Sequence, residues 1–315
     1  MSVQEMDTRV TQRVIVAVCT HKRNDELRRL LLAVVRNARV LPAASAVGVV
    51  VVDDNADGRA CTVVDEFEGC FPLGIRYLHC GTGNISIARN AAIDEAFGDS
   101  DWVAMTDDDC EPVDAWLTTY VDAASQGDFD ILTGPCEHQV PKGSPGWLEA
   151  QPIFEDLRFE FPDGAIMTVA ATNNSFMRTE FFLTHPELRF DEELGRIGGE
   201  DMVFFRQAVR AGASIRFCTD AIVLAHESSA RATLSYQLHS RFWLGNTSFV
   251  THKVLGDAPP LRWLLWGCNM AVVALLRPAQ RIVRRKPPQF RYTFLVVAQA
   301  LGVLSGAAGV RIRHH

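Results

Sequence analysis

The chain has 315 residues, of which 48% are hydrophobic, and its formal net charge at pH 7 is −7. This length predicts one large α/β domain or two smaller ones. Its eight cysteines are scattered without a C-x-x-C pair, which argues against a zinc site or a disulfide framework and favours a reducing compartment. The polar N-terminal residues contain no apolar core, so no secretory signal is expected.

The first half of the chain alternates strands with helices. Continuous apolar runs predict buried strands at 13–19, 47–52, 74–78 and 102–107, and apolar residues at helical spacing predict helices at 25–39, 61–68 and 85–97. This alternation predicts an α/β fold with a mostly parallel, Rossmann-like sheet and helices on both faces.

Polar residues follow three of these strands. They are Thr20 after the first strand, Asp53 and Asp54 after the second, and Asp107-Asp108-Asp109 after the fourth. Ligands of such sheets bind at the carboxyl ends of the strands, so we expect these residues to converge on one crevice.

The three consecutive aspartates have two interpretations. Side chains alternate along an extended chain, so Asp107 and Asp109 should point the same way, whereas Asp108 should point oppositely and tolerate change. One or two carboxylates with substrate phosphates commonly hold Mg²⁺, which makes Asp107 and Asp109 candidate metal ligands. The alternative is a solvated acidic turn that caps a helix before Pro112.

The second half has shorter elements and more loops. The predicted elements are a strand at 130–134, a proline-rich loop at 135–163, a strand at 166–176 that enters the site, a loop at 189–199 that closes over substrate, a helix at 200–211, strands at 214–218 and 222–225, and a helix at 233–251. The glycine- and proline-containing segment at 256–260 is typical of a linker.

Four short motifs follow one another along the chain. They are Asp53-Asp54-Asn55-Ala56-Asp57, the Ala-Arg-Asn run with Arg89 and Asn90, the D-x-D run Asp107-Asp108-Asp109, and the E-D motif in Gly199-Glu200-Asp201. In this order they resemble glycosyltransferase family 2 over about residues 13–250, most of all its exopolysaccharide- and lipopolysaccharide-type members, which act on lipid-linked acceptors. The resemblance implies a GT-A fold and sugar transfer from a nucleotide-sugar donor, with UDP as the expected nucleotide.

The resemblance also implies a division of the chain. A catalytic domain would occupy residues 1–255, with a nucleotide-binding half at about 10–134 and an acceptor half at about 135–255. Residues 256–315 would form a separate tail that associates with a membrane.

For the donor side, the resemblance assigns roles to the matched residues. The donor-binding residues would be Thr20, Asp53, Asp54, Arg89, Asn90 and Asp107. Arg89 and Asn90 would hold Asp53 or the pyrophosphate, and the alternative for Arg89 is an exposed helix position. Asp109, Asp107 and a late histidine, His226, would bind Mn²⁺ or Mg²⁺, since imidazole suits Mn²⁺. The alternative for His226 is a histidine satisfied by an ordinary hydrogen bond.

For the acceptor side, Asp201 would be the general base. It would take the proton of the acceptor hydroxyl as that oxygen attacks opposite the leaving group, which inverts the anomeric carbon. Its alternative role is to stabilise the helix N-terminus. Glu200 would orient the acceptor or a metal-bound water. Trp147, Asn173 and Asn174 are candidate acceptor-binding residues, and the alternative for Trp147 is to anchor its loop.

Two departures from the family pattern are visible. Asn55-Ala56 stands where Gly-Ser-Thr is common, which concerns the nucleobase contacts and not the fold. Gln237, Arg241 and Trp243 match the Q-x-x-R-W motif of processive synthases only in part. We therefore expect transfer of a single sugar and not polymerisation.

The C-terminal tail is basic and hydrophobic. After Asp257 it has nine basic residues and no acidic one, which leaves residues 1–257 with 22 basic against 38 acidic side chains. Residues 261–276 form a short apolar segment and 292–310 a segment long enough to span a membrane. We predict a monotopic tail at 261–310 on the cytoplasmic face of the membrane, with a second segment able to span it, and no nucleic-acid partner. The alternative is a pair of ordinary helices packed on the protein or in an oligomer interface.

Together, the residues and the resemblance predict a metal-dependent inverting glycosyltransferase. It would add one sugar to a lipid-linked or other membrane-proximal glycan in cell-surface polysaccharide synthesis. One alternative is a nucleotidyltransferase, which normally carries a glycine-rich basic loop after its first strand, and residues 20–24 contain no glycine. Another is a non-catalytic membrane scaffold of the same fold.

Overall fold

A computed structural model gives the fold of residues 12–148, 150–153, 161–257 and 259–313. These residues belong to two compact units. The first takes its described residues from Met1–Glu137, Phe159–Phe190 and Phe204–Ala225, and the second from His138–Arg158, Asp191–Val203 and His226–His315.

The regular elements of the described residues are as follows. The strands are β1 (Gln12–Thr20), β2 (Ser45–Asp53), β3 (Ile75–His79), β4 (Trp102–Asp107), β5 (Cys110–Pro112), β6 (Ile131–Thr133), β7 (Cys136–Gln139), β8 (Ile166–Met167), β9 (Ser175–Arg178), β10 (Ile215–Phe217) and β11 (Val223–His226). The α-helices are α1 (Asn24–Val40), α2 (Cys61–Asp65), α3 (Ile85–Phe97), α4 (Trp116–Gln126), α5 (Thr179–Thr184), α6 (Glu200–Arg210), α7 (Leu234–Leu255), α8 (Pro260–Val283) and α9 (Phe290–Ala307).

A mixed sheet forms the centre of the first unit. Its strand order within the described residues is β3-β2-β1-β4-β9-β6-β10-β8. Strand β1 lies parallel to β2 and β4, β2 lies parallel to β3, and β6 lies parallel to β10. Strand β9 is antiparallel to both β4 and β6. The prediction of a mostly parallel α/β sheet is confirmed, with β9 as an antiparallel strand inside it.

The sheet is covered on both faces because apolar side chains occupy successive positions of its strands. In β1, Val14, Val16 and Val18 belong to one hydrophobic cluster, which also contains residues of α1, α2 and α4. Ile15 and Ala17 belong to a second cluster with residues of α3, α5 and α6. Neighbouring side chains of a strand point to opposite faces, so each set packs under its own helix layer.

The parallel register brings three strand ends to one edge of the sheet. Thr20 of β1 lies beside Asp53 of β2, and Cys19 of β1 lies beside Asp107 of β4. The polar strand ends therefore converge, as the sequence predicts for such a sheet.

Several segments differ from the sequence-based prediction, among them β5 and α5, which it does not contain. The continuous strand expected at 166–176 is wrong, because a turn of 3-10 helix at Thr172–Asn174 separates β8 from β9. Helix α4 and strand β7 are absent from the prediction, and β7 lies inside the segment expected to be a loop at 135–163. Residues 154–160 of that segment lie outside the described residues.

Helices α7, α8 and α9 form most of the second unit. Helix α7 packs on α9 at two glycines, since a Cβ atom on Gly245 would collide with the Gln299 carbonyl oxygen and one on Gly302 with that of Phe242. The compact units therefore do not follow the predicted boundary at 255–256, because α7 shares a unit with the tail helices. The assignment of catalysis and membrane association to separate segments stays a prediction.

Helix α9 is the one helix of the described chain that is long and apolar enough to cross a membrane. Its 18-residue window has a mean hydropathy of 1.3, and 39% of that window is buried. The buried core helix of a soluble protein also meets this criterion, so length and composition alone do not place α9 in a membrane. All eight cysteines are free in this structure.

Candidate active site

The acidic run at the end of β4 is held by the loop that follows β1. Strand β4 ends at Asp107, and Asp108 and Asp109 form the turn into β5. The Thr20 hydroxyl donates to Asp108 Oδ2 at 2.8 Å. Arg23 Nη1 donates to Asp108 Oδ1 and to Asp109 Oδ2, each at 2.8 Å. One guanidinium thus compensates two neighbouring carboxylates.

Asp108 anchors this cluster, which corrects the expectation that it tolerates change. Its residue exposure is 5%, and its two oxygens bind Thr20 and Arg23. Burial raises the pKa of Asp108 to about 6, against the lowering effect of the Arg23 charge. Thr20 is also buried with its hydroxyl bonded to Asp108, so it supports the acidic turn in place of the expected donor contact.

Arg23 is a site residue that the sequence motifs do not single out. It comes directly after Lys22, whose φ of 59° lies in the left-handed region that residues other than glycine rarely adopt. The sequence does hold a signal for Arg23, because carboxylates gathered at one sheet edge require a cation and this loop supplies one.

Asp107 is the most exposed member of the run, with 40% of its side chain accessible. Its Oδ1 accepts a hydrogen bond from Arg89 Nη2 at 3.2 Å. The Arg89 side chain is 8% exposed, and its guanidinium lies 5.8 Å from the centroid of the Phe190 ring. Arg89 therefore pairs with Asp107 and not with Asp53, which was one of its two expected targets, and it is not an exposed helix arginine.

Asp53 supports the loop after β2 from the interior. Its Oδ1 accepts the Asn55 N–H at 2.9 Å, and its Oδ2 accepts the Ala60 N–H at 2.9 Å and the Tyr77 hydroxyl at 3.1 Å. With 1% exposure it offers no surface to a ligand. The expected donor contact of Asp53 is therefore corrected to a structural role.

Asp54 fixes the turn that leads into α3. Its Oδ1 accepts the Thr82 N–H at 2.8 Å, the Thr82 hydroxyl at 2.9 Å and the Gly83 N–H at 3.0 Å. Helix α3 then begins after Asn84, whose side chain accepts the Ser86 N–H. Asp54 thus positions the helix that carries Arg89, and its role in donor binding stays a prediction.

Asn90 binds the backbone of Phe190 with both ends of its amide. Its Nδ2 donates to the Phe190 carbonyl oxygen at 3.0 Å, and its Oδ1 accepts the Phe190 N–H at 2.9 Å. This corrects the expectation that Asn90 holds Asp53 or the pyrophosphate. It instead places the aromatic ring against which Arg89 lies.

The two asparagines proposed for the acceptor have different surroundings. Asn174 is 1% exposed, and its amide makes four side-chain hydrogen bonds. The partners are Trp116 Nε1 and the Tyr120 hydroxyl at Oδ1, and the carbonyl oxygens of Pro135 and Ala221 at Nδ2. Asn174 is therefore a structural residue, which corrects its expected acceptor contact. Asn173 is partly exposed and stays a candidate.

Asp107 and Asp109 have the donor chemistry of a divalent-cation site. Their side chains are 40% and 17% exposed, and carboxylate oxygens suit both Mg²⁺ and Mn²⁺. Within the described residues, no three His, Cys, Asp or Glu side chains are grouped so that they could hold a metal by themselves. Two carboxylates are enough for a cation that is completed by substrate phosphates, so the pair fits a metal that binds with a nucleotide.

In the second unit, Glu200 and Asp201 form the first turn of α6. Glu200 is 6% exposed, whereas Asp201 is partly exposed. Asp201 Oδ1 accepts the Met202 N–H at 2.7 Å, and the helix dipole favours a carboxylate at this end. Asp201 is therefore the more accessible of the two candidates, and the alternative helix-stabilising role is present as well.

The turn before α6 is fastened to α7. Gly198 and Gly199 have φ angles of 99° and 85°, and a Cβ atom on Gly198 would collide with the Trp243 ring. The Trp243 indole N–H donates to the Ile197 carbonyl oxygen at 2.5 Å. The C-terminal end of the predicted closing loop is therefore anchored, which leaves only the residues before Ile197 for a closing movement.

The segment after β11 is fixed by charged side chains next to His226. Glu227 Oε1 lies 2.9 Å from His138 Nδ1, and Glu227 Oε2 accepts from Arg231 Nη1 at 3.5 Å. Burial alone would raise the pKa of Glu227, but the His138 hydrogen bond and the Arg231 charge lower it overall. His226 itself is partly exposed at the strand end, and its role as a metal ligand stays a prediction.

Trp147, which was proposed for acceptor recognition, and two residues of the partial Q-x-x-R-W match make internal contacts in this unit. Trp147 packs against the cluster that contains Tyr292, and the Arg291 guanidinium lies 5.4 Å from its ring centroid, which favours the loop-anchor alternative. Gln237 Nε2 donates to the Arg231 carbonyl oxygen at 3.0 Å, and Arg241, which is 4% exposed, donates to the Ile153 carbonyl oxygen. Gln237 and Arg241 of the partial Q-x-x-R-W match therefore have structural roles in this protein.

The sheet with a D-x-D run after β4 and an E-D pair at the start of α6 defines a glycosyltransferase of the GT-A type. The family model for glycosyl transferase family 2 matches residues 15–183. The chain is also 30% identical over 308 residues to the succinoglycan biosynthesis protein ExoM of Rhizobium meliloti (strain 1021), covering 96% of this chain and 94% of that protein. The chain belongs to glycosyl transferase family 2 and is a glycosyltransferase. This replaces the nucleotidyltransferase and scaffold alternatives.

Solved structures support the same fold at low sequence identity. TarS residues 1–349 of S. aureus is similar with a TM-score of 0.54 and 15% identity over 95% of this chain and 92% of that one. The structure of the same protein in complex with UDP-GlcNAc has a TM-score of 0.54 and 14% identity over the same shares. GalNAc-T7 with UDP, GalNAc and Mn²⁺ has a TM-score of 0.52 and 16% identity over 76% of this chain and 49% of that one.

Proposed function

We propose that this glycosyltransferase moves one sugar from a UDP-sugar to a lipid-linked or other membrane-proximal glycan in cell-surface polysaccharide synthesis. The observation that carries the proposal is the acidic turn after β4, where Asp107 and Asp109 are accessible and are held by Arg89 and Arg23. The similarity to a succinoglycan biosynthesis protein along nearly the whole chain supports the pathway. The similar fold of a protein in complex with UDP-GlcNAc supports the donor class.

Cleavage of the anomeric C–O bond leaves negative charge on a nucleoside diphosphate. Arg89 and Arg23 are the two guanidinium groups beside the acidic turn, and both are partly or largely buried, where their charge is less screened by water. Asp107 and Asp109 would hold Mn²⁺ or Mg²⁺. Such an ion supplies further stabilisation of charge on the phosphate oxygens when bound.

On the acceptor side we assign the general base to Asp201. Asp201 is an accessible carboxylate in the first turn of α6, so its oxygens can accept the hydroxyl proton as the acceptor oxygen attacks. Attack opposite the leaving diphosphate would invert the anomeric carbon. Glu200 is more buried and suits an orienting role.

The tail would keep the enzyme at the cytoplasmic face of the membrane, near an acceptor that cannot leave it. Large apolar side chains of α8 are exposed, among them Leu261 at 65%, Leu265 at 63% and Leu275 at 61%. Basic residues follow the same helix, and no acidic residue occurs after Asp257. An exposed apolar helix face beside positive charge is the composition of an interfacial helix.

A donor and acceptor assay tests this function. The full chain is incubated with single UDP-sugars, Mn²⁺ and lipid extract as the acceptor source, and both UDP release and sugar in the lipid fraction are measured. We expect one UDP-sugar to give UDP release in step with incorporation into lipid. Release without any incorporation would contradict the proposed acceptor class, and no turnover with any UDP-sugar would contradict the donor class.

A further inference from the structure

Helices α8 and α9 line an open cavity of about 220 Å³, which has no role in the sugar transfer proposed above. Its walls are mainly apolar, with Trp266 and Val273 from α8 and Val296 from α9. Three polar side chains, Asn269, Arg277 and Thr293, also line it. We call this cavity the α8–α9 pocket.

Two of these polar groups lack the partners that their positions require. Thr293 is 4% exposed, and its Oγ1 has no hydrogen-bond partner among the described residues. Buried hydroxyl groups normally have a hydrogen-bond partner, so the Thr293 hydroxyl is available to donate a hydrogen bond to a ligand. Arg277 has no carboxylate partner in the described part of the chain, and none is available after Asp257 in the sequence. The pocket therefore presents an uncompensated cation and an unused donor.

The Arg277 guanidinium is also held in place. It lies 4.3 Å from the centroid of the Tyr292 ring, and Tyr292 is 5% exposed. A cation stacked on a buried ring loses less freedom when it binds an anion. A planar guanidinium fixed in this way suits the oxygens of a phosphate group.

Exposed apolar side chains next to the pocket favour a ligand that has both a charged group and an apolar part. Val272, Val273 and Leu276 of α8 are each more than half exposed around the position of Arg277. A free inorganic anion would gain nothing from these apolar side chains, whereas a lipid with a phosphate headgroup would cover them with its acyl chains.

We propose that the α8–α9 pocket binds the phosphate group of an anionic membrane phospholipid, with Arg277 and Thr293 as its ligands. The acyl chains would lie along the exposed apolar face of α8. The inference deepens the proposed membrane association and rests on it, but it requires no sugar transfer. It assigns a defined headgroup site to a tail whose other basic residues would act only as surface charge.

Vesicle flotation of the full chain tests the pocket with a charge-neutral variant and a matched charge variant. The vesicles contain phosphatidylcholine alone or with phosphatidylglycerol. Thr293→Val keeps the side-chain shape and charge but removes the donor, and we expect it to weaken binding to phosphatidylglycerol vesicles by at least about tenfold, the loss of one hydrogen bond to a charged group. Arg277→Gln should weaken it by at least about tenfold, whereas Arg284→Gln, an exposed residue outside the pocket, should cost no more than about fivefold.

The outcomes separate the pocket from membrane association in general. If wild-type protein floats with neither vesicle, membrane association itself fails and the pocket assignment with it. If Thr293→Val binds like wild type and Arg277→Gln behaves like Arg284→Gln, the tail binds by surface charge and the pocket assignment is overturned. If inorganic phosphate alone displaces the chain from vesicles at micromolar concentration, the site recognises phosphate without lipid, which also overturns it.

Discussion

Arg23 and Asp108 form an ion pair at the base of the acidic turn, with Arg23 Nη1 2.8 Å from Asp108 Oδ1. The same nitrogen lies 2.8 Å from Asp109 Oδ2. Asp108 is buried and Asp109 is partly exposed, so one arginine links the interior of the turn to its accessible surface. The D-x-D run is thus fixed by its middle residue, and its outer residues are paired with arginines but keep accessible surface.

Removal of this arginine should destabilise the fold. In Arg23→Met the buried Asp108 loses its cation, and we expect the free energy of unfolding to fall by about 2–4 kcal/mol, as for one partner removed from a largely buried pair. Urea denaturation measures the change. Arg28→Met is the matched control, because its partners Glu66 and Asp25 are exposed, and it should leave stability nearly unchanged. Equal losses in the two variants would contradict the role of Arg23.

Substitutions of Asn173 and Asn174 should have different effects, because Asn174 is buried whereas Asn173 is partly exposed. Asn174→Ala removes four buried hydrogen bonds and leaves Trp116, Tyr120 and two carbonyl groups unpaired, so we expect a loss of at least about 3 kcal/mol in unfolding free energy. Asn173→Ala should change stability by less than about 0.5 kcal/mol. If Asn173 contacts the acceptor, its variant should raise the KM for the acceptor and not that for the donor. Normal stability of Asn174→Ala would refute the structural assignment.

Trp243 should act as a positioning residue for the turn before α6. Trp243→Phe keeps an aromatic ring but loses the hydrogen bond to the Ile197 carbonyl oxygen, so the Glu200-Asp201 turn is held less firmly. We expect kcat to fall by about tenfold with donor affinity unchanged. Tyr236→Phe, which removes a hydroxyl at a partly exposed position of the same helix, is the control. A loss of donor affinity in place of kcat would show that Trp243 does not act through this turn.

Asp201 should be required for turnover and not for donor binding. Asp201→Asn keeps an oxygen that can accept the Met202 N–H but cannot take a proton, so transfer should fall by at least about a hundredfold. The affinity for UDP should stay the same. Glu200→Gln, with the same change of charge one residue away, should have a smaller effect. Near-normal transfer by Asp201→Asn would exclude it as the base.

The parallel part of the sheet could be predicted from the sequence because β1, β2 and β4 each have an apolar run that ends at a polar residue. Strand β1 shows this best, since a run of apolar residues gives way to the polar Thr20 at the point where the strand ends. Helix α3 was equally readable, because its predicted range of 85–97 coincides with Ile85–Phe97. The start of β9 could not be predicted from the sequence. The extended chain is interrupted just before it, at Asn174, whose side chain donates to the carbonyl oxygens of Pro135 and Ala221, and these residues are distant in sequence.

For the candidate site, the sequence predicts which types of residue are present but not which of them are buried. Sequence motifs identify Asp53, Asp107 and Asp109 equally, but they contain no information on burial. The structure assigns Asp53 to the interior with three donors on its oxygens, whereas Asp107 remains accessible. Arg23 escaped the motifs because its importance depends on β1 and β4 being neighbours, which is a property of the sheet order.

The measurement that tests the account most directly is calorimetric binding of UDP to the full chain with and without Mn²⁺. We predict Mn²⁺-dependent UDP binding by the wild type and a loss of at least about tenfold in affinity for Asp109→Asn. Asp114→Asn, which removes an exposed carboxylate with the same change of charge, should bind UDP like the wild type. Equal UDP affinity in Asp109→Asn and the wild type, in the presence of Mn²⁺, would contradict the assignment of the acidic turn to the leaving diphosphate.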